Sequence, residues 1–428
     1  MGVVNWNTLP LDLIPRIADL LLSDDPIDLL CLRAVCRAWR SLSPNPRSLA
    51  SRFRPRRWIM LSDGSADLTV PQTFLNLSTG RSLRISLPDL YGHWILASTD
   101  GLLVLFHQET SLVRLFNPFC RFMVDLPPLL GYNGNVFSRD YFGAAMSYSD
   151  GTDDDPTVVL SWDFGRYLFG RRFFWAKLGD QTWMDQTLMF KSENGLPDFK
   201  YNPRVHLFFQ GSFYITNVFG RVYSLSLDGN LLCELVFPDR QPGWDDQLSK
   251  SYLVECDSSV LVVLSYCATG QTGPPIEVYK ADLDNNRLVL IESIGDYALF
   301  VGHKRMLSVS AKGFPSLRGN SIYMCTGQLN DPVIIYDLES HQCEPISGQT
   351  VIHNGDMQLR PSVRPFTLPD HLVTYCSHPQ WAKGLMYHEF PKFPRAWSAK
   401  FNYSEFGVLS TKLNSEFRWG ISQGYPPF

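Results

Sequence analysis

The sequence lacks several features that would place it in a familiar class. Its nine cysteines are scattered singly, with no CxxC pair. Such a set is typical of reduced thiols, so we expect an intracellular protein of the nucleus or the cytoplasm. The longest apolar runs, such as "VLVVL" at 260–264, are far too short to span a bilayer, and we expect no membrane contact. No basic segment followed by an apolar core opens the chain, so we expect no signal peptide.

The chain also lacks an excess of charge and the common catalytic motifs. Its formal net charge is -4 over 428 residues, which does not indicate a nucleic-acid partner. No GxGxxG, GxSxG or HExxH motif occurs. His371 and His378 could share a metal ion, but lone histidines are more often structural. The sequence therefore predicts a non-catalytic protein with no cofactor and no metal.

Aromatic residues and turn formers are abundant. Aromatics make up 13% of the chain, and 29 prolines and 30 glycines accompany them. This composition favours many short strands separated by tight turns. The length exceeds that of one ordinary core, so we expect two or three domains.

Residues 1–46 form the one region with a clear helical period. "LDLIPRIADLLL" places apolar residues at i, i+3, i+4 and i+7, namely Ile14, Ile17, Ala18 and Leu21. "SDDP" then predicts a second helix with Asp25 as its N-cap and a proline in its first turn. "SPNP" at 43–46 ends the segment. So short a module rarely folds alone, and its apolar faces must be covered by the following domain or by a partner.

This segment resembles an F-box. The resemblance rests on "WNTLPLDLIPRI" at 6–17 and "DLLCLRAVCRAWR" at 28–40, which keep the spacing of the whole motif. It implies that the helices bind the Skp-type adaptor of a cullin–RING ubiquitin ligase, with a substrate-binding domain behind them. By the same resemblance nine residues lie at or under the adaptor interface: Leu9, Pro10, Leu13, Ile17, Leu29, Leu32, Val35, Cys36 and Trp39. Part of this set must form the module's own core, and the sequence does not divide it.

The polar residues around the motif carry weaker predictions. Trp39 is the expected anchor, because aromatic side chains dominate interface hot spots. Arg33, Arg37 and Arg40 are expected at the rim, where charge sets orientation more than affinity. The basic stretch "RFRPRRW" at 52–58 lies in a linker at 47–58, which we expect to be solvated.

Beyond residue 57 the helical period gives way to short apolar runs that recur. "VYSLSLDGN" at 222 and "VYKADLDNN" at 278 superpose with an offset of 56, and "VIIYDLES" at 333 follows after 55. Three periods before Asp282 lies Asn117 in "LFNP", and a weaker copy, "RRFFWAKLGDQTW", falls near 172. This pattern predicts three short N-terminal helices followed by an all-β propeller with six or so four-stranded blades of about 55 residues.

Three stretches of this region resemble the KIB-type β-propeller that follows plant F-boxes. They are "ASTDGLLVL" at 97–105, "LFNPFCRFMVDLPPL" at 115–129 and "DYALFVGHKRMLSVSAKGFPSLRGNSIYM" at 296–324. The resemblance spans about 60 to 365, which places a propeller at 59–368, and it implies a substrate-receptor role without catalytic residues. The tail at 369–428 fits poorly. It could close the ring, lie on the propeller or be disordered.

The combined prediction is the substrate receptor of a Skp–cullin–F-box ubiquitin ligase. In this scheme the helices bind the adaptor, and one propeller face binds a target protein. A propeller enzyme, a carbohydrate-binding propeller and an F-box scaffold outside any ligase remain alternatives. The target is not readable from the sequence, and the candidates for contacting it are four aromatic residues in loops, namely Tyr132, Phe137, Tyr141 and Trp244.

Overall fold

The computed structural model describes residues 10–61, 71–129, 142–147, 156–163, 171–188, 206–210, 212–216, 220–226, 232–237, 248–266, 275–302, 305–325, 333–345, 350–353, 359–362 and 368–377. Three short helices precede a ring of sheets, and a fourth helix follows it. The helices are α1 (Leu13–Asp24), α2 (Pro26–Val35), α3 (Arg37–Leu42) and α4 (Leu368–Ser377). None of the helices in these ranges is long and apolar enough to cross a membrane.

The first three blades are antiparallel meanders. Blade 1 has three strands, β1 (Trp58–Met60), β2 (Gln72–Asn76) and β3 (Ser82–Ile85). Blade 2 has four, β4 (His93–Thr99), β5 (Leu102–His107), β6 (Leu112–Asn117) and β7 (Phe122–Pro128). Blade 3 has four, β8 (Phe142–Ser147), β9 (Thr157–Asp163), β10 (Arg171–Lys177) and β11 (Met184–Leu188).

Three further blades complete the ring. Blade 4 holds β12 (His206–Phe209), β13 (Ser212–Thr216), β14 (Val222–Ser226) and β15 (Leu232–Leu235). Blade 5 holds β16 (Leu248–Cys256), β17 (Ser259–Tyr266), β18 (Ile276–Asp282) and β19 (Arg287–Ile291). Blade 6 holds β20 (Tyr297–Val301), β21 (Met306–Ser310), β22 (Ser321–Cys325), β23 (Val333–Asp337) and β24 (Gln342–Pro345). A separate hairpin, β25 (Thr350–His353) with β26 (Leu359–Ser362), follows.

The predicted repeat is confirmed, and every copy falls on the same structural position. The strands concerned are β6, β10, β14, β18 and β23, each of which lies next to the outer strand of its blade. The 55-residue period therefore measures the distance from one blade to the next. Because a lone blade cannot bury both faces of its sheet, neighbouring blades must stack into a ring.

Blade 6 departs from the regular pattern by one inserted strand. Its order is β21-β20-β22-β23-β24, and β20 runs parallel to β22, with Ala298 opposite Ser321. The stretch 296–324, the longest that resembles the KIB-type propeller, builds this irregular part. Gly319 lies where two segments cross, because an added Cβ would stand 3.1 Å from Cα of Asp296.

Helix α4 joins the first and last blades. It packs Leu368 and Leu372 into one core with Leu75 of blade 1 and Phe300 of blade 6. At its end the backbone N–H of Arg305 donates to the carbonyl of Cys376 at 3.0 Å. Nine of the ten helical residues thus lie in the segment that the sequence left unassigned, and they take part in closing the ring.

Candidate functional site

Helix α1 has a covered side and an open side. Ile14, Ala18 and Leu22 are buried in the core of the helical module, as their i, i+4, i+8 spacing requires. Ile17 is half-buried beside that core, Leu13 is half-buried one turn earlier, and Leu20, at the next position of the same stripe, is 71% exposed. An apolar stripe therefore runs from the core of the module out to its surface.

Helix α2 presents three faces, of which the described residues cover two. Leu29 and Leu32 pack into the module core with Phe53 of the connector, which is the segment 47–58 between the module and blade 1. Ile27 packs into a second core, formed by blades 1 and 2, with Leu30 beside it. The third face carries Cys31 and, one turn later, Val35, which is 59% exposed.

The structure divides the nine predicted interface residues into groups. Leu29 and Leu32 are buried within the module, whereas Pro10 and Val35 are exposed. Four others are half-buried, namely Leu13, Ile17, Cys36 and Trp39, and of these Ile17 and Trp39 pack against the module core. Leu9 lies outside the described residues. The assignment of these residues to an adaptor interface stays a prediction.

Three further apolar residues of the module are exposed, and none of them was among the nine predicted interface residues. Leu11, Leu20 and Leu42 are 60%, 71% and 36% exposed. The helical period places Leu20 on the apolar stripe of α1, since it follows Leu13 by seven residues, but it does not show that this end of the stripe is exposed. Burial on a small module is hard to predict, because every helix has apolar residues on more than one face.

Two of the three predicted rim arginines stabilise the end of α3. Arg33 Nη1 donates to the carbonyl oxygens of Arg40, Ser43 and Pro44 at 2.9, 2.7 and 2.7 Å. Arg40 Nε donates back to the carbonyl of Arg33 at 3.0 Å. Burial, followed by the neighbouring charge of Arg40, lowers the pKa of the Arg33 guanidinium. These contacts satisfy carbonyl groups that a helix end leaves open. Arg37 is exposed.

Asp25 is the centre of the junction between the helices and blade 1. As predicted, it caps α2, accepting from the backbone N–H of Ile27 at 3.0 Å. The indole N–H of Trp58 donates to both carboxylate oxygens at 3.1 and 3.0 Å, and Asn76 Nδ2 donates to Oδ2 at 3.1 Å. All three residues are buried. Because a buried carboxylate needs hydrogen bonds to be stable, these donors fix the helix against the sheet.

Two turns of the propeller hold the module. Asn76 and Asn117 each end the strand next to the outer edge of their blade. The side-chain oxygen of each caps its own turn, that of Asn76 accepting from the N–H of Ser78 at 2.8 Å and that of Asn117 from the N–H of Phe119 at 3.1 Å. Their amide groups point the other way: that of Asn76 donates to Asp25, and that of Asn117 donates to the carbonyl of Phe53 at 3.4 Å.

The connector is packed between the module and the propeller. Phe53, Arg54 and Pro55 are buried, so the prediction of a solvated link is wrong for this part of the stretch. Gly101, in the motif "DGLLVL", has φ +74°, and an added Cβ would lie 2.1 Å from the carbonyl oxygen of Pro55. Glycine is required there because the connector backbone lies directly against this turn.

Ion pairs surround the buried junction. Arg81 Nη1 donates to Asp28 Oδ1 at 2.6 Å, which raises the pKa of the Arg81 guanidinium. Arg57 lies 3.6 Å from Asp24. Both pairs are substantially exposed, so each contributes little stability but favours one orientation of the helices on blade 1.

Comparison with known proteins identifies the propeller. The model of the KIB1-4 beta-propeller family matches residues 74–354, more than half of the chain. The chain belongs to this family. Two relatives from Arabidopsis thaliana are F-box protein At2g26160, 23% identical over 74% of this chain and 94% of that protein, and F-box/kelch-repeat protein At1g64840, 24% identical over 74% and 83%. Their names agree with the resemblance of the helices to an F-box.

A looser likeness exists among solved structures. An oligogalacturonate lyase in complex with manganese is 11% identical, covers 72% of this chain and 75% of its own, and superposes with a TM-score of 0.36. A superposition this loose supports no functional comparison.

The described part of the KIB1-4 propeller has an open cleft but no cluster of metal ligands. No group of three or more His, Cys, Asp or Glu side chains within the described ranges is placed to hold a metal ion. An open cleft of about 420 Å³ lies between Phe209 of blade 4 and blade 5, where Ser259, Lys280 and Val289 line it. The four aromatic residues predicted to contact a target, Tyr132, Phe137, Tyr141 and Trp244, lie outside the described residues.

Proposed function

We propose that this KIB1-4 propeller protein is the substrate-receptor subunit of a Skp–cullin–F-box ubiquitin ligase. Helices α1 to α3 bind the Skp-type adaptor, and the propeller binds the protein to be ubiquitylated. The chain itself catalyses no step; it raises the effective concentration of the target near the loaded conjugating enzyme. Its location would be the nucleus or the cytoplasm, which suits nine cysteines scattered singly along the sequence.

One observation carries this proposal. On α2 the residues that face the module core and those that face the propeller are buried or half-buried, whereas Cys31 and Val35 on the third face are exposed. On α1 the stripe is half-buried at Leu13 and Ile17 and exposed at Leu20. An exposed apolar face on a rigidly held helix can dock into an apolar groove of a partner protein.

The junction supports the same assignment. Asp25 and its two donors hold the open face in a fixed direction relative to the blades. A receptor needs this property, because transfer to a bound target depends on distance and orientation more than on new chemistry. The names of the relatives, F-box proteins of a plant, agree with it.

The adaptor claim is tested by one charged substitution with a matched control. Val35→Glu should weaken binding to an immobilised Skp-type adaptor by about tenfold or more, because adaptor binding would bury the new carboxylate. Val236→Glu on blade 4 is the control, since Val236 is also a valine that is 59% exposed. Biolayer interferometry measures the affinities, and thermal unfolding of both variants checks the fold. Equal affinity of Val35→Glu and the unchanged chain would exclude this face as the adaptor site.

A second experiment separates a ligase receptor from an F-box scaffold. Proteins that accumulate when the chain is depleted, and that bind the purified propeller, are candidate targets. With adaptor, cullin, RING protein and conjugating enzyme, a true target should be ubiquitylated only when the chain is present, and Val35→Glu should abolish the reaction. Assembly with the adaptor but no chain-dependent ubiquitylation of any bound protein would favour the scaffold.

A further inference from the structure

The two kinds of basic residue are distributed very unevenly along the chain. Residues 1–176 contain 17 arginines and no lysine. Residues 177–428 contain 10 arginines and 11 lysines. The lysine-free segment comprises the helical module, the connector, blades 1 and 2, and blade 3 through Ala176.

Structural need explains only some of these arginines. Arg33, Arg54 and Arg81 donate from guanidinium groups to carbonyl or carboxylate oxygens in ways that an ammonium group reproduces poorly. Others are exposed on the module, its connector and blade 1, namely Arg16, Arg37, Arg47 and Arg84. A lysine would carry the same charge into solvent at these positions. The later blades do use exposed lysines, including Lys177, Lys280 and Lys312.

The lysine-free segment is also the part of the propeller that carries the module. The bonds from Asn76 to Asp25, from Arg81 to Asp28 and from Asn117 to the Phe53 carbonyl hold the helices on blades 1 and 2. If the open face of α1 and α2 meets the adaptor, these blades are the ones nearest the ligase scaffold.

We propose that the lysine-free segment keeps the adaptor-proximal half of the receptor without ubiquitin acceptors, so that self-modification of the assembled ligase falls on Lys177 and the lysines after it. This inference rests on the proposed function. The receptor stays in the complex at high effective concentration beside the conjugating enzyme, whereas a target binds to the receptor only transiently. Acceptors close to the scaffold would therefore compete with those of the target.

The chemistry distinguishes the two side chains. In ubiquitin transfer the lone pair of an unprotonated lysine Nζ attacks the thioester carbonyl between ubiquitin and the cysteine of the conjugating enzyme. An isopeptide bond forms, the carbon–sulfur bond breaks, the cysteine leaves as thiolate, and the proton lost by the amine passes to that thiolate or to water. Arginine cannot replace lysine, because its guanidinium stays protonated and has no such lone pair.

The test introduces acceptors without changing charge. The double variant Arg47→Lys with Arg84→Lys places two exposed lysines in the module's connector and on blade 1. Arg287→Lys on blade 5 is the control, since that segment already contains lysines. Each full chain is assembled with adaptor, cullin, RING protein, conjugating enzyme and ubiquitin, without target. The rate of loss of unmodified receptor and the positions of the Gly-Gly remnants left after trypsin are measured by mass spectrometry.

We expect remnants in the unchanged chain only at Lys177 or beyond. The double variant should gain a remnant at position 47 or 84 and lose unmodified receptor about threefold faster, while Arg287→Lys behaves like the unchanged chain. A double variant that is modified at its original lysines, at the original rate and never at 47 or 84, overturns the inference. Adaptor affinity is measured on the same samples, so a failure to bind the adaptor counts against the proposed function instead.

Discussion

The same turn occurs in four blades and is used in two different ways. In blades 1 and 2 the residue that ends the strand is asparagine, Asn76 or Asn117, and it is buried against the helices or their connector. In blades 5 and 6 the equivalent residue is aspartate, Asp282 or Asp337, which caps its turn with the carboxylate but is partly exposed to solvent. In each turn the residue four positions after this Asn or Asp has a positive φ, namely Gly80, Arg121, Asn286 and His341.

The turn has the same backbone in all four blades, but its first residue is asparagine where it faces the helices or their connector and aspartate where it faces solvent. Both side chains can accept the backbone N–H groups that close the turn. Only asparagine can also donate, which is what the carboxylate of Asp25 and the carbonyl of Phe53 require. A buried aspartate in its place would bring an uncompensated charge to an acceptor, which costs several kcal/mol, whereas water solvates the exposed aspartates.

The largest expected effect comes from exchanging the two types at blade 1. Asn76→Asp removes the donor to Asp25 and places a second carboxylate about 3 Å away, so the free energy of unfolding at pH 7 should fall by about 3–5 kcal/mol. A shared proton would restore the contact, so the loss should shrink as the pH falls towards 4. Urea unfolding at both pH values measures it. A pH-independent loss would contradict the charge argument.

A second pair of variants compares a glycine against the connector with one that faces open space. Gly101 and Gly179 both have positive φ, at +74° and +87°, but only Gly101 lies against the connector, with nothing within 4 Å of the Cβ position at Gly179. Gly101→Ala should cost about 2–4 kcal/mol, from strain and overpacking together. Gly179→Ala carries the strain alone and should cost about 1 kcal/mol. Equal losses of stability in thermal or urea unfolding would show that the connector backbone can move aside for the added Cβ without further destabilisation.

The smallest effect is expected at the exposed turn of blade 6. The backbone N–H of Ser340 donates to Asp337 and lowers the pKa of its carboxyl group. The ionised group therefore contributes stability above its unfolded pKa of about 3.9, and this contribution is lost as the pH falls through the lower folded value. Asp337→Asn should cost about 0.5 kcal/mol at pH 7, and the difference should shrink as the pH falls below the unfolded pKa. A difference that grows on acidification would reverse the sign argued here.

Local features of the sequence predicted much of this fold. Asp25 caps α2, the helical period locates α1 and α2, and the 55-residue repeat marks the same strand in successive blades. These succeed because each depends on contacts within a few residues or on a pattern repeated several times. The inserted strand β20 and the closing helix α4 each occur once and follow no period, so the repeat pattern could not predict them.

The candidate site was predictable as a segment but not as a surface. The sequence indicated that apolar residues of the first helices would exceed what the module could cover. It could not assign Leu29 to the core and Val35 to the surface, since both are apolar residues of one short helix. Nor could it show that Asn117, recognised as part of the repeat, would hold the connector.

By itself the sequence determined the helices, the turns and the number of residues in each blade, because those follow from propensity, capping and period over short distances. Only the tertiary structure decided which apolar face stays open, which turns became junction sites and which half of the chain lies beside the module. Whether a residue is buried depends on which segments, distant in the sequence, pack against it, and no local pattern encodes those contacts. The absence of lysine from the first 176 residues shows the difference: it is plain in the sequence, but its physical meaning depends on the contacts that join blades 1 and 2 to the helices.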